Sequence, residues 1–368
     1  MSVSLAPTGQ TRGQSELRAS QAAYVVYQET KVFGSLDGLR AVAILAVLWH
    51  HSARPAPGSI LAARGFLGVD LFFVISGFLI TTLLLRERQR SGAISLRRFY
   101  LRRFLRIFPA YYLTLALVAA TVLLKRGGVS SDTVHDLPYA FFYLSNLVTM
   151  TSLLSITWSL STEEQFYLIA PALEKHLGER LPLFLCIALV LVLLPSLGLF
   201  PSWHLPAFFR QTTFAPILLG VLLAHTLHEP RGFDWIWRTL RHPLSPVLAL
   251  GLALAACLYP GGDLMGWPRI AIQTAFMVLV ASCVIRERHA LRPALRCWPV
   301  RRIGIVSYGI YLYHMLVLHF VEKGTQRLAW TSNASSFLML AFFTWAVAEV
   351  SYRLYESRFL ALKARFES

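Results

Sequence analysis

The sequence has little charge, little cysteine and few acidic residues. Only 15% of its 368 residues are charged, while 55% are hydrophobic, which excludes an ordinary soluble domain and is typical of a polytopic membrane protein. Basic residues outnumber acidic ones by 35 to 19, but most arginines lie between apolar runs, where they meet lipid headgroups, so no nucleic-acid partner is expected. The four scattered cysteines indicate neither a disulfide framework nor a metal site.

The ends of the chain are polar and its middle is apolar. Residues 1–31 have no apolar core and no signal-peptide pattern, so we expect a disordered cytoplasmic tail there. Apolar runs recur with short joins to about residue 356, which leaves no room for a second soluble domain. The predicted organisation is a transmembrane domain over residues 32–358, followed by a short cytoplasmic tail over 359–368.

The distribution of arginine sets the predicted orientation. The join from Arg86 to Arg106 holds eight arginines, which places it in the cytoplasm. The join from Arg286 to Arg302 holds six, and it falls on the same side only if residues 137–176 cross once, as an irregular span broken by the polar stretch TMTSLLSITWSLSTEE. The sequence therefore predicts an all-α fold, a polytopic membrane helical bundle of about ten transmembrane helices with both termini cytoplasmic. Eleven spans would place the second join outside.

The first apolar span, SLDGLRAVAILAVLWHHS, carries an arginine and a histidine eleven positions apart. At about 100° per residue, Arg40 and His51 share one helical face and lie roughly 16 Å apart along the axis, whereas His50 points about 80° away. A charged side chain inside a bilayer is costly and usually faces a polar cavity. Arg40 and His51 are therefore candidate functional residues.

An aspartate begins the second span. Asp70 lies near the outer end of that helix, at the depth of His51, because the join between the two spans is short. An aspartate beside a histidine can fix its tautomer and raise its basicity. Local capping at the helix entrance is the alternative role for Asp70.

The segment SLRRFYLRRFLRIFPAYYL is a basic amphipathic helix that leads into the third span. Arg98, Arg102 and Arg106 recur every four residues on one face, and Arg103 is offset by one position. Two roles fit this face. It binds lipid headgroups, or it holds the phosphates of a cytoplasmic cosubstrate through paired arginine hydrogen bonds.

The segment WSLSTEEQFY places two adjacent carboxylates, Glu163 and Glu164, at the start of a buried helix. A buried arginine such as Arg40 or Arg210 is expected to partner them, and both a structural ion pair and a catalytic role fit. Residues at i, i+4 and i+8 of the segment share one face. The candidate residues of this segment are Trp158, Ser159, Glu163, Glu164 and Tyr167.

The ninth span, RRIGIVSYGIYLYHMLVLHF, places three polar side chains on one face. Ser307, Tyr311 and His314 lie at i, i+4 and i+7. A hydroxyl, a phenol and an imidazole that face the interior of a bundle indicate a polar pocket. A purely structural role for His314 is the alternative. No residue pattern in the chain indicates a bound metal.

Taken together, five strings resemble the acyltransferase-3 family of integral membrane acyltransferases, and the resemblance covers roughly residues 33–356. They are LDGLRAxA…H (Leu36 to His51), GVDLFFVISGFL (Gly68 to Leu79), RRFLRIFPAYY (Arg102 to Tyr112), WSLSTEEQFYL (Trp158 to Leu168) and SYGIYLYH (Ser307 to His314). An arginine and a histidine with ten residues between them in the first span mark this family.

The resemblance implies an enzyme that moves an acyl group, often acetyl, from cytoplasmic acyl-CoA to a hydroxyl. The implied acceptor is a glycan or glycoconjugate at or beyond the bacterial inner membrane, and acylation of a small molecule such as a macrolide is the alternative. Acyl-CoA would be a cosubstrate, with no bound cofactor. Membrane lipids and glycan-assembly proteins are the implied partners. The fused periplasmic hydrolase-like domain of larger relatives is not expected. A transporter of an acylated metabolite and a non-catalytic subunit are rival interpretations.

The chemistry of acyl transfer gives each candidate a role. An imidazole suits the base that takes the hydroxyl proton, so we expect His51 to be this base, aided by Asp70 or Glu163. A covalent acyl-histidine is the variant that the sequence leaves open. Arginines would bind the anionic donor or stabilise developing negative charge. The donor-binding candidates are Arg40, Arg98, Arg102, Arg103 and Arg106.

Overall fold

The computed structural model describes residues 10–52, 60–123, 131–150, 152–196, 214–261, 264, 266–327 and 333–364. These residues contain helices and no strand, which confirms the all-α class. The α-helices are α1 (Gln10–Glu29), α2 (Gly34–Ser52), α3 (Ile60–Ala63), α4 (Gly68–Ser91), α5 (Leu96–Leu123), α6 (Ser131–Phe141), α7 (Thr157–Leu177), α8 (Leu181–Ser196), α9 (Ala215–His228), α10 (Pro230–Leu240), α11 (Ser245–Cys257), α12 (Trp267–Ile285), α13 (Arg292–Arg296), α14 (Trp298–Ile305), α15 (Ser307–Arg327), α16 (Asn333–Ser351) and α17 (Ser357–Ala364).

Helix α4 lies at the centre of the bundle, and its closest neighbour is α9. A Cβ atom on Gly77 of α4 would collide with the carbonyl oxygen of Ile217, and one on Gly220 of α9 would collide with that of Val74. Small residues at a crossing let two backbones approach closely, which stabilises helix pairs in membranes through close packing. The two glycines thus allow α4 and α9 to pack closely together. Helix α4 also forms one wall of the cavity described below.

Helix α2 is held against α4, α13 and α14. A Cβ atom on Gly304 of α14 would collide with the carbonyl oxygen of Asp37, and one on Gly38 of α2 would collide with Leu295 of α13. The buried residues of α2 include Leu39 and Ile44, which pack into two different hydrophobic clusters on either side of the helix. This packing orients the helix that carries Arg40 and His51.

The lengths and composition of the described helices support some of the predicted transmembrane spans. Among the described residues, four helical stretches are long and apolar enough to cross a membrane: Gly65–Ser91, Leu96–Leu123, Trp267–Ile285 and Ala334–Leu362. Three pairs of helices bent by 69–82° raise the number to seven if each pair forms one span. Helix α8 also presents exposed apolar side chains, including Leu183, as a lipid-facing helix does. The predicted total of ten spans, with its orientation, stays a prediction.

Two sequence-based expectations about order need correction. Residues 10–29 of the expected disordered tail form helix α1, whose Tyr27 is buried and whose Tyr24 donates a hydrogen bond to the carbonyl of His228 at 2.5 Å. The reason is that Tyr24 and Tyr27 add aromatic surface that packs on Phe233 of α10. The break in the irregular crossing is also shorter than expected, because α7 already begins at Thr157 and includes WSLSTEE.

Candidate active site

A cavity of about 280 Å³ opens between α2, α4, α5, α7 and α15. One end of the cavity is lined by the join between α1 and α2, and the lining continues along α2 and α4. Its polar and charged lining residues are Lys31, Asp37, Arg40, Ser76, Thr82, Arg86, Arg103, Arg106, Ser159, Glu163, Tyr167, Ser307, Tyr308 and Tyr311. A cavity lined by so many cationic and hydroxyl groups suits an anionic, partly polar ligand.

Three arginines form the basic wall of the cavity. Arg40 of α2 makes an ion pair with Asp37 at 3.2 Å, and its charge is close to that of Arg106. The guanidinium of Arg103 lies 5.3 Å above the ring of Tyr167, a cation–π contact that joins α5 to α7. Three positive charges facing one cavity repel each other, and an anionic ligand would relieve this repulsion.

Two of the five donor-binding candidates lie elsewhere. Neither Arg98 nor Arg102 lines the cavity, and Arg102 makes an ion pair with Glu87 at 3.0 Å. The expectation that the i, i+4 face of Arg98, Arg102 and Arg106 binds the donor is therefore not met by the geometry. Glu87 near the end of α4 holds Arg102, so Arg103 joins Arg106 at the cavity instead, one turn apart on α5.

The adjacent carboxylates point in different directions. Glu163 lines the cavity together with Ser76 and Tyr167, and it lies in the electrostatic field of Arg103 and Arg40. Arg40 and Glu163 thus face the same cavity, and their partnership stays a prediction. Neighbours on a helix are about 100° apart, and Glu164 accordingly leaves the cavity and interacts with the tyrosines of α5. Arg210, the other expected partner, lies outside the described residues.

Hydroxyl groups close the inner end of the cavity. The hydroxyl of Ser159 lies 2.7 Å from the phenol of Tyr311. Ser307 and Tyr308 line the same region, and Tyr308 donates a hydrogen bond to the carbonyl of Ile107 at 3.0 Å. The predicted face of Ser159, Glu163 and Tyr167 is confirmed, because all three line the cavity. Trp158 does not line it and packs instead edge-on against Phe73, with ring centroids 6.1 Å apart.

The two candidate histidines lie behind this inner end. His314 is fully buried, its ring centroid is 5.4 Å from that of Tyr311, and it is 4.9 Å from that of His51. Neither histidine lines the cavity. Arg40 and His51 therefore occupy one helix, as expected, but only Arg40 faces the cavity directly. Tyr311 lines the cavity and contacts His314, which in turn contacts His51.

Asp70 does not pair with His51. Its two carboxylate oxygens accept hydrogen bonds from Arg269 of α12, at 2.5 and 2.8 Å, and one of them also accepts from Gln273 at 3.2 Å. The expected partnership with His51 is wrong in this geometry, because a bidentate arginine satisfies both oxygens of the carboxylate. Asp70 thus joins α4 to α12, and a role in holding the bundle together replaces its expected role beside the base.

Several cavity residues carried no clear signal in the sequence. Ser76 of α4 lines the cavity together with Glu163. Arg86, expected only to set orientation, is buried, lines the cavity and donates to the carbonyls of Tyr27 and Thr30 at 2.7 and 2.6 Å. Lys31 lies beside it on the lining. The alternation of Arg86, Arg88 and Arg90 with polar residues did not distinguish the buried arginine from its more exposed neighbours.

The described residues define a class of protein: an apolar helical bundle with a basic cavity whose lining residue Tyr311 contacts His314, which in turn contacts His51. Within the described ranges, no three His, Cys, Asp or Glu side chains come together as a metal site requires. The family described as an acyltransferase domain, the acyltransferase-3 family, matches residues 33–353. The chain belongs to this family of membrane enzymes that transfer acyl groups.

Two relatives illustrate what the chain is similar to. The peptidoglycan O-acetyltransferase OatA of Listeria monocytogenes is 29% identical over an alignment 374 positions long, gaps included. The alignment covers 89% of this chain and 56% of that protein. The O-acetyltransferase OatA of Staphylococcus aureus is 29% identical over 357 residues, covering 88% and 56%. The chain thus spans about half the length of the curated relatives it matches. No solved structure matches it.

Proposed function

We propose that this protein is a membrane O-acyltransferase that moves an acyl group, in the first instance acetyl, from acyl-CoA to a hydroxyl of a glycan. The observation that carries this proposal is the cavity, whose basic wall of Arg40, Arg103 and Arg106 leads to the hydroxyls of Ser159 and Tyr311. Acyl-CoA carries anionic phosphates and a slender arm that ends in the thioester. Arginines suit the phosphates, and the part of the cavity lined by Ser159 and Tyr311 would receive the arm.

His51 is the proposed base of the reaction. It removes the proton of the acceptor hydroxyl, whose oxygen attacks the thioester carbonyl. The carbon–sulfur bond then breaks, and the leaving thiolate takes the proton from the His51 imidazolium, which restores the neutral base. The variant step is attack by the imidazole itself to give an acyl-histidine, from which the acceptor takes the acyl group. In both mechanisms, Arg40 and Glu163 contribute to the charge of the cavity through which the donor arrives.

The proposed acceptor is a cell-wall glycan such as peptidoglycan. The support is the similarity to the Listeria monocytogenes relative, whose name assigns it that acceptor. We further propose that the protein lies in the bacterial inner membrane with ten spans and both termini in the cytoplasm. The end of the cavity lined by Arg86 and Arg103 is then cytoplasmic, because both residues belong to the arginine-rich join. Residues 32–358 would form the transferase domain, and lipids and glycan-assembly proteins would be its partners.

The experiment uses the purified protein in lipid nanodiscs with radiolabelled acetyl-CoA and soluble glycan strands. Wild type is expected to transfer label to the glycan and to release free thiol. His51→Ala is expected to abolish both, while His176→Ala, which changes an exposed histidine of α7, leaves both unchanged. An acid quench tests for labelled protein, which separates the acyl-histidine variant from direct transfer.

Three results would contradict the proposal. Transfer that survives His51→Ala would exclude this histidine as base or carrier. Movement of an acylated metabolite across proteoliposomes without any thiol release would favour a transporter. Label found only on a small molecule would keep the enzyme class and exclude the glycan acceptor.

A further inference from the structure

The hydrogen-bonding state of His314 is defined by its surroundings. Its Nδ1 atom lies 2.6 Å from the carbonyl oxygen of Tyr311, one turn earlier on α15. A carbonyl oxygen accepts hydrogen bonds and cannot donate them, so Nδ1 must carry the proton. In the neutral ring the lone pair is therefore on Nε2.

That lone pair has no partner. Among the described residues, the Nε2 atom of His314 makes no hydrogen bond, although the side chain is fully buried. A buried polar atom without a partner is rare, because its desolvation is not offset. An atom of this kind beside a proposed active site is therefore a candidate for a bond that forms during the reaction.

The ring nearest to His314 is that of His51. The two ring centroids are 4.9 Å apart and the planes are inclined by 50°. Two imidazoles joined by an N–H···N bond of ordinary length have centroids on the order of 5 Å apart. The observed separation therefore allows such a bond after a rotation of the His51 ring alone.

We propose that His314 is a positioning residue for His51, on the basis of the proposed function above. Its Nε2 accepts the N–H of His51, which fixes the tautomer of His51 and leaves the other nitrogen of that ring free to take the acceptor proton. The proton from the hydroxyl resides on His51, and the imidazolium that forms is stabilised by the same bond to Nε2. No proton is lost from His314, whose Nδ1–H stays on the Tyr311 carbonyl.

His50 provides the matched comparison. Its Nδ1 also lies near a carbonyl oxygen, that of Ala62, at 3.3 Å, and its ring centroid is 5.1 Å from that of His51. It differs in being partly exposed and in contacting Phe66 rather than the cavity wall. His314 is instead linked through Tyr311 to the cavity, so the proposal assigns the positioning role to His314 and not to His50.

Two substitutions separate positioning from anchoring. The amide of His314→Asn reaches the place of Nδ1 and keeps the bond to the Tyr311 carbonyl, whereas the amide of His314→Gln reaches the place of Nε2 and restores an acceptor there. We expect transfer to fall about a hundredfold in His314→Asn and only about tenfold in His314→Gln, since general base catalysis contributes about 10²–10⁴-fold. The same pair of changes at His50 is expected to alter transfer less than about threefold. Equal losses in the two His314 variants would overturn the proposal.

A spectroscopic measurement tests the proposal without enzymatic activity. In nitrogen-15 histidine spectra of the nanodisc sample, the His51 signals are assigned by their loss in His51→Asn. We expect one dominant His51 tautomer in wild type and a mixture in His314→Asn. Unchanged tautomer populations, or a change produced by His50→Asn instead, would overturn the proposal.

The two proposals fail separately. If wild type transfers no acyl group but the His51 tautomer depends on His314, the proposed function fails while the contact between the histidines stands. If transfer occurs and a nitrogen–nitrogen coupling between His51 and His314 is absent from wild-type spectra, the positioning role fails alone. This last measurement uses wild type, so it holds even if a His314 variant does not fold.

Discussion

The hydroxyl of Ser159 and the phenol of Tyr311 lie 2.7 Å apart and join α7 to α15 at the inner end of the cavity. Both groups also lie 3.1 Å from the carbonyl oxygen of Ile156. Each hydroxyl has one proton, so one proton goes to this carbonyl and the other bridges the two hydroxyls. This arrangement fixes the position of the Tyr311 ring between the cavity and His314.

Removing the hydroxyl group of Tyr311 tests whether the inner end of the cavity contributes to acyl transfer. In Tyr311→Phe, Ser159 can still donate to the Ile156 carbonyl, so we expect the free energy of unfolding to fall by only about 1 kcal/mol. We expect kcat/KM for acyl transfer to fall about tenfold, equivalent to about 1.4 kcal/mol of lost transition-state stabilisation. The control is Tyr313→Phe on the same helix, whose phenol contacts Ser351 and not the cavity. Equal kinetic losses in both variants would assign the effect to the helix.

A lysine at position 103 tests whether the basic wall recognises phosphate groups by geometry. Arg103→Lys keeps the charge but loses the planar fork and weakens the contact with the Tyr167 ring. We expect the dissociation constant for acetyl-CoA to rise about tenfold, which is about 1.4 kcal/mol, as measured by titration calorimetry in nanodiscs. Arg97→Lys, an exposed arginine on the same helix, is expected to bind as wild type. Unchanged donor affinity in Arg103→Lys would exclude paired hydrogen bonding by this arginine.

Neutralising Asp70 tests its assignment as a structural residue. Asp70→Asn leaves the mostly buried Arg269 without its anionic partner, so we expect the free energy of unfolding to fall by about 3 kcal/mol. Glu287→Gln breaks an exposed ion pair with Arg296 and is expected to cost less than about 1 kcal/mol. Thermal unfolding in detergent compares the two. If Asp70→Asn keeps wild-type stability but loses acyl transfer, Asp70 has a catalytic role instead of a structural one.

A methyl group at the crossing of α4 and α9 tests what sets the position of the cavity wall. In Gly77→Ala the added Cβ collides with the backbone of α9, so we expect a loss of about 1–3 kcal/mol in stability. Gly251→Ala on α11 adds its Cβ to open space and is expected to be neutral, or slightly stabilising because alanine favours helix. Unfolding temperatures of the two variants provide the comparison. Equal temperatures would mean that α4 and α9 separate at little cost.

Local residue patterns explain the parts of the site that the sequence predicted. Helical periodicity depends on neighbours in the chain, so the shared face of Ser159, Glu163 and Tyr167 was readable from spacing alone. The same argument placed Arg40 and His51 on one helix. It failed for the arginines of α5, because which of them faces the cavity depends on where Glu87 of α4 holds Arg102.

The sequence by itself determined the helical class, the membrane character and the set of polar residues within apolar helices, because composition and period act within one segment. Only the tertiary structure decided the partners of those residues. In the folded chain Asp70 pairs with Arg269, and Arg86 is buried against the join between α1 and α2. His314 contacts His51 on a different helix. The physical reason is that side chains far apart in sequence meet according to how glycine crossings and ion pairs set the helices against each other.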